Sequence, residues 1–341
     1  MDIFALASQN LLSPPILFFV LGLLAAFVRS DLALPEAISK ALSLYLVMAI
    51  GFKGGVQLSE GGDGSVAGLL IAGIILSAIL PLISFALLRT TTRLGGIDSA
   101  AIAAHYGSIS IVTFIAAQDA ARSIAMEPGG ALVAVAAAME APAILTGLIL
   151  ANRFGQAEKP AASLSAATAG GGPAATKPPS QGKIILESLT NGSVVLLIGA
   201  FMIGLITGPR GLEQVAPFVD DMFRGVLCLF LLDMGLTAGR GLLTQYKGLT
   251  PALIAHGLYM PLIGAAAGLG FSMLLGVRPV DGAVLMTLCA SASYIAVPAA
   301  MRLALPQAQA SLSLSLSLGV TFPFNLILGI PIYLAAAQAV L

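Results

Sequence analysis

Long uncharged stretches dominate the chain, and the charges between them fall at intervals suited to membrane helices. A helix needs about 20 apolar residues to cross a bilayer. Ile3 to Val28 carry no Lys, Arg, Asp or Glu, and the first span is expected to start near Ser13-Pro14-Pro15. The second runs from about Glu36 to Leu58, with a break predicted at Gly51-Phe52-Lys53-Gly54-Gly55. The third covers Gly64 to Leu88, and the fourth lies between Asp98 and Asp119, broken at His105-Tyr106-Gly107-Ser108-Ile109-Ser110. The fifth runs from Pro128 to Asn152 and contains Glu140. Residues 155–182 are rich in Ala, Gly, Pro and Ser with no apolar period, the pattern of a disordered linker. Five more spans follow: Leu186 to Thr207, Gly225 to Gly239 with Asp233, Leu249 to Val277, Gly282 to Met301, and one within Gln307 to Leu341. Ser311 to Leu318 alternate Ser and Leu with a strand-like period. A lone strand in lipid would leave its backbone unpaired, so a helix is expected there.

The two sides of the linker resemble each other. Gly51 to Gly55 match Gly235 to Gly239, and Ile97-Asp98-Ser99-Ala100 match Val280-Asp281-Gly282-Ala283. Gly107-Ser108-Ile109-Ser110 fall on Ala290-Ser291-Ala292-Ser293, and Glu140-Ala141-Pro142 on Thr321-Phe322-Pro323. Four weak matches in order point to duplication. The expected organisation is an all-α polytopic membrane protein: a five-helix repeat over 1–152, a disordered cytoplasmic linker over 153–182, and a second repeat over 183–341. Halves with an odd number of spans must be inverted, the plan of many secondary transporters. With both termini outside, the inner loops hold ten Lys and Arg and the outer loops four, which favours that orientation and a cytoplasmic linker.

Composition agrees. Of 341 residues, 58% are hydrophobic and 9% charged, against about 25% charged in soluble domains. The net charge is zero, so nothing recruits nucleic acid. Two cysteines in apolar runs and two histidines form no zinc pattern. The first basic residue is Arg29, after the first apolar run, so the N-terminus is not expected to be a signal peptide.

The Ser-rich breaks of spans four and nine are the expected substrate site. A broken helix exposes backbone N–H and C=O groups, tolerated at membrane depth only within protein or around a cavity. Half-helix N-termini favour anions and unwound carbonyls hold cations. The expected substrate or ion ligands are Gly107, Ser108, Ile109, Ser110, Thr113, Ser291, Ala292, Ser293 and Tyr294, with Na+ near Ser108, Ser110 and Ser293. Hydroxyls serve both ions, donating to one and accepting around the other. Small residues at these places also let helices cross closely, which is the bland alternative. Lys53, Glu140 and Asp233 are intramembrane charges, costly and often functional. Lys53 and Asp233 are expected either to meet near a pseudo-two-fold axis or to snorkel to an interface or water cavity. Glu140 is a candidate for a cation or proton site. His105 either carries protons or is a neutral hydrogen-bonding group. An intramembrane hydrolase is disfavoured, because His105 and Ser108 have no orienting acid nearby in the chain. A channel fits two broken helices less well than a carrier does.

These residues resemble the sodium-dependent bicarbonate transporter family. The resemblance is carried by Leu34-Pro35-Glu36-Ala37-Ile38, Gly107 to Ser110 with Thr113, Met139-Glu140-Ala141-Pro142-Ala143, Phe223-Arg224-Gly225, and Ala290 to Arg302. It covers nearly the whole chain outside the linker. It implies ten helices in two inverted halves, with a gate of spans 1, 2, 6 and 7 and a mobile elevator core of spans 3–5 and 8–10. It also implies Na+-dependent bicarbonate symport in a bacterial inner membrane, no cofactor beyond Na+ as coupling ion, a homotrimer among membrane lipid, and a PII-like cytoplasmic regulator. By this resemblance the chain is expected to be a divergent member. The cyanobacterial pattern at the second break reads Ser-Ser-Asp-Ile-Ser-Gly-Pro-Pro, where this chain has Ala292-Ser293-Tyr294-Ile295-Ala296-Val297-Pro298-Ala299. The family tends to have Thr where Lys53 stands. A lost carboxylate weakens a cation site, and a nearby ammonium can mimic the cation. A uniport or proton-coupled carrier of another small organic anion is therefore the alternative.

Overall fold

The apolar runs fold into helices whose ends are set by ordinary capping chemistry. The computed structural model describes residues 12–60, 66–155, 192–245, 248–294 and 296–341, and these contain helices and no strands. Helix α1 spans Pro14–Phe27, with Ser13 extended before it and proline at its start, where a missing N–H costs nothing. Helices α2 (Glu36–Ser59) and α3 (Val66–Thr91) follow. The fourth predicted span is two half-helices, α4 (Gly96–His105) and α5 (Ile111–Ser123). Helix α6 covers Ala131–Phe154, with a turn at Met139.

After the undescribed segment come α7 (Gly192–Ala216), a π-helical turn at Pro217–Asp221, and α8 (Phe223–Gln245). Helix α7 is kinked at Gly208, whose φ of 58° precedes Pro209. Helix α9 (Pro251–Leu275) is capped by the Thr250 hydroxyl on the Leu253 amide, and closes on left-handed Gly276. The ninth predicted span is again split, into α10 (Pro279–Ala290) and α11 (Ala296–Ala304). Helix α12 (Ala310–Val340) contains π-helical turns at Ser317–Thr321 and Asn325–Gly329. The Ser/Leu alternation is therefore helical, as lipid requires.

Among the described residues, seven helices are long and apolar enough to cross a membrane. The other three expected spans are the short α1 and the two pairs of half-helices. The expected linker lies outside the described residues from 156 on, while its first residues, 153–155, still belong to helix.

One expectation is corrected. The glycine clusters at Gly51–Gly55 and Gly235–Gly239 do not break their helices: α2 and α8 run straight through them. They are contact points. Helix α2 lies along α7, and α1 along α8. A Cβ at Gly51 or Gly55 would stand 2.6 Å and 1.9 Å from the carbonyl oxygens of Leu197 and Phe201 on α7. In return, Gly204 of α7 abuts the carbonyl of Phe52. The same reciprocity holds between Gly235 and Phe19, and between Gly22 and Leu232. Small residues four apart let membrane helices approach backbone to backbone.

The second group of helices packs differently. Helix α3 runs along α6 and α4, and α4 lies on α6. Helix α10 lies on α9 and on the last part of α12. Half-helix α5 touches α10, and α11 touches α4. The two breaks thus face each other inside this group.

Candidate functional site

Each break is a short extended segment between the C-terminus of one half-helix and the N-terminus of the next. All nine candidate ligands from Gly107 to Tyr294 are buried. In the first break, Gly107 sits against Pro81 of α3, where a Cβ would meet the ring at 2.3 Å. Ser110 caps α5: its Oγ accepts the Thr113 amide at 3.2 Å. In the second break, Ser291 Oγ donates to the Leu288 carbonyl and accepts the Ser110 amide at 2.9 Å.

A two-way clasp joins the breaks. The Ser293 amide donates to the His105 carbonyl at 2.8 Å, and His105 Nδ1 donates to the Ser293 carbonyl at 2.5 Å. That pairing requires a proton on Nδ1. In this arrangement the His105 side chain ties the first break to the second.

Glu140 sits where the fifth span turns at Met139. It is buried, and its Oε2 accepts the Ser108 hydroxyl at 2.7 Å. No basic side chain pairs with it among the described residues. A buried carboxylate with one hydroxyl partner retains free acceptor capacity, which suits a cation or a proton. Ser108 and Glu140 were both legible as candidates. Their direct bond was not.

Lys53 and Asp233 do not form a pair. Lys53 Nζ bonds Asp220 Oδ1 at 2.8 Å and lies 4.7 Å from the centroid of the Phe223 ring. Lys53 on α2 thus meets the turn between α7 and α8. Asp233 is buried on α8.

Several polar contacts escaped the sequence reading. Tyr106 bonds Thr321 Oγ1 at 2.7 Å, and Thr321 donates to the Gly257 carbonyl at 2.9 Å. Asn325 donates to the Ala290 carbonyl at 2.8 Å, closing the C-terminus of α10, and Tyr333 donates to Asn325. His256 bridges Ser84 at 3.0 Å and Tyr259 at 2.9 Å. Asn325 was findable, as an amide in an apolar span needs a partner.

Two clefts open at the face that carries the α2–α3, α5–α6 and α9–α10 connections. One, of about 390 Å³, lies between the end of α2 and residues of α3, α6 and the α10 entry, including Glu127, Gly129, Arg278 and Asp281. The other, of about 330 Å³, separates α1 and α8 from α5 and α12, and its wall includes Leu326, the neighbour of Asn325. An ion pair bridges that second gap, with Arg224 Nε 3.0 Å from Asp119 Oδ1.

Apolar helices long enough to cross a bilayer, around buried polar breaks, define an integral membrane transport protein. The family comparison then places the chain: residues 14–338 match the model of the Na+-dependent bicarbonate transporter superfamily. The chain belongs to that superfamily, as the resemblance in its motifs implied. A transporter family favours carriage over catalysis. A search of curated proteins finds no match.

Proposed function

We propose that this protein is a secondary transporter that moves bicarbonate with Na+ by alternating access. The observation that carries the reading is the pair of buried breaks bonded to each other, Ser110 to Ser291 and His105 to Ser293, with the unpaired Glu140 carboxylate beside them. Bicarbonate sits at the breaks, near Ser108, Ser110, Ser291, Ser293 and Tyr294. Na+ takes the acceptor oxygens of Ser108, Ser110 and Ser293, with Glu140 compensating its charge.

The chain forms ten spans as two inverted five-helix repeats. Exchanged pairings support this: α1 on α8 answers α2 on α7, and α4 on α6 answers α10 on α12. At matching positions Pro81 faces Gly107, and Gly264 faces Cys289 and Ala290, so each half packs its third span on its break through one small residue. Helices α1, α2, α7 and α8 are the gate. The remaining helices are a core that slides as an elevator. Both clefts lie between these groups on one face, expected to be external, so the arrangement is open outward. We further propose a bacterial inner-membrane location, external termini, a cytoplasmic linker, a homotrimer, and docking of a PII-like regulator near the linker.

Tyr294, in place of an acid, favours a second reading: proton-coupled or uniport carriage of another small organic anion, with Glu140 as the proton site. Uptake of radiolabelled bicarbonate into proteoliposomes, with and without an inward Na+ gradient, separates the two. Na+-driven accumulation supports symport. Na+-independent uptake supports the second reading, and folded protein without any bicarbonate uptake removes bicarbonate as substrate.

A further inference from the structure

We infer that the Tyr294 phenol is an anion-binding donor that sets substrate specificity at the start of α5. The inference rests on the reading of the crossed breaks as the substrate site. Tyr294 is 8% exposed, and its hydroxyl has no hydrogen-bond partner among the described residues. A buried hydroxyl without a partner costs stability unless a ligand satisfies it. Its position explains which ligand. The phenol faces Ser110, the cap of α5. The Ser110 hydroxyl accepts the Thr113 amide and stands beside the phenol outside ordinary hydrogen-bond length, with one lone pair and its own O–H left over, while the Ser110 amide donates to Ser291. The next first-turn amides, those of Ile111 and Val112, have no acceptor inside the helix, and both residues are buried. The O–H thus lies beside the cap of a 13-residue helix, whose first-turn N–H groups form its positive end.

All of these groups donate. A carboxylate at position 294 would contribute acceptors and bind a cation, whereas the phenol contributes an O–H and binds an oxygen of an anion. The ring is held for this task. Phe322 packs edge-on at 5.6 Å, and the clasp between His105 and Ser293 fixes the preceding backbone. The seat suits a small oxyanion of the carboxylate or carbonate class, with acceptor oxygens for several donors. A halide, whose charge is not placed on separate oxygens, uses the donor set less well. The cation side of the site is then left to the acceptor oxygens of Ser108, Ser110 and Ser293, with Glu140.

The test is Tyr294→Phe, which removes one oxygen and keeps the ring. Thermal unfolding of the purified full chain in detergent is measured in chloride and in bicarbonate at equal ionic strength. Uptake is measured in proteoliposomes. In chloride, the variant is expected to melt at or above the wild-type temperature, because an unpartnered hydroxyl has gone. The stabilisation by bicarbonate is expected to fall, and KM for bicarbonate to rise about tenfold or more, the loss of one hydrogen bond to a charged acceptor. The Na+ concentration for half-maximal uptake is expected to stay within about twofold. A variant that melts lower in chloride shows a structural hydroxyl and overturns the inference. So does an unchanged bicarbonate shift with unchanged KM. Those results leave the transport reading standing. Folded wild-type protein that neither transports nor is stabilised by bicarbonate, formate, acetate or nitrate defeats the transport reading, and this inference with it.

Discussion

Replacing Gly55 or Gly235 with alanine is expected to destabilise the protein strongly, although alanine is the better helix former. At Gly55 the new methyl would stand 1.9 Å from the Phe201 carbonyl oxygen and 2.7 Å from the Leu205 nitrogen. At Gly235 it would stand 2.1 Å from the Phe19 carbonyl oxygen and 2.9 Å from the Leu23 nitrogen. A carbon and a carbonyl oxygen approach to about 3.3 Å. The paired helices must therefore separate by roughly 1.2–1.4 Å. The obstacle is backbone, so no rotamer change relieves it. A gap of that order forfeits about half of the dispersion attraction along the contact. Overpacking usually costs about 1–3 kcal/mol, and here the upper end is expected. Gly199 and Gly270 provide the control, since a Cβ at either meets nothing within 4 Å. Alanine there is expected to be neutral or stabilising by up to about 1 kcal/mol. Thermal unfolding of the four purified variants in one detergent checks the difference. If Gly55→Ala and Gly235→Ala melt together with Gly199→Ala and Gly270→Ala, close approach does not govern the packing of α2 on α7 and α1 on α8.

Two further predictions concern transport. Glu140→Gln keeps an acceptor for Ser108 and removes the charge, so the cation concentration for half-maximal uptake is expected to rise about tenfold or more, given that hydrogen bonds to charged groups exceed neutral ones by about 1–2 kcal/mol; an unchanged Na+ and pH response would remove Glu140 from coupling. The Arg224–Asp119 pair joins α8 to α5 across a cleft, with Arg224 mostly exposed, so its stabilising contribution is expected to stay below about 1 kcal/mol. If the core slides past the gate, Asp119→Asn and Arg224→Gln should each change turnover while leaving bicarbonate KM alone, and the double variant should match the singles; additive effects would show that the two side chains act separately.

Much of the helical layout was legible because charges in a membrane chain are confined to span ends and sites. Ser13-Pro14-Pro15 marks the first helix start at the observed position, whereas the ninth span was placed from Gly282 and its helix begins at Pro279. The polar breaks at Tyr106 to Ser110 and Ser291 onward were legible for a related reason: hydroxyls cluster where backbone groups lack helical partners. The clusters at Gly51–Gly55 and Gly235–Gly239 were misread, because a missing Cβ serves equally to unwind a helix or to admit another backbone. The deciding atoms, the carbonyls of Phe201 and Phe19, lie far away in the chain. Lys53 illustrates the same limit. Its partner Asp220 is 167 residues distant, in a π-helical turn beyond the kink at Gly208, and no local pattern encodes that register.

The divergence between the two breaks bears on how such a protein would work. At matching positions one half has Glu140, bonded to the hydroxyl of its own break, and the other has Thr321, whose hydroxyl is engaged by Tyr106 and Gly257. The second break instead has Tyr294, a donor without an acceptor. On the proposed reading, the acceptor for a cation and the donor for an anion are divided between the halves. Bonds across the breaks, Ser110 to Ser291 and His105 to Ser293, hold the two halves in fixed relation. A sliding core can keep every one of these bonds, because all lie within α4, α5, α10 and the break segments. The Arg224–Asp119 contact joins α8 to α5 and would break if the core slides as proposed. A buried clasp able to survive such a stroke, beside an exposed ion pair that would not, is what alternating access by rigid-body motion would require, since the costly burial of polar groups would then be met once and kept through the cycle.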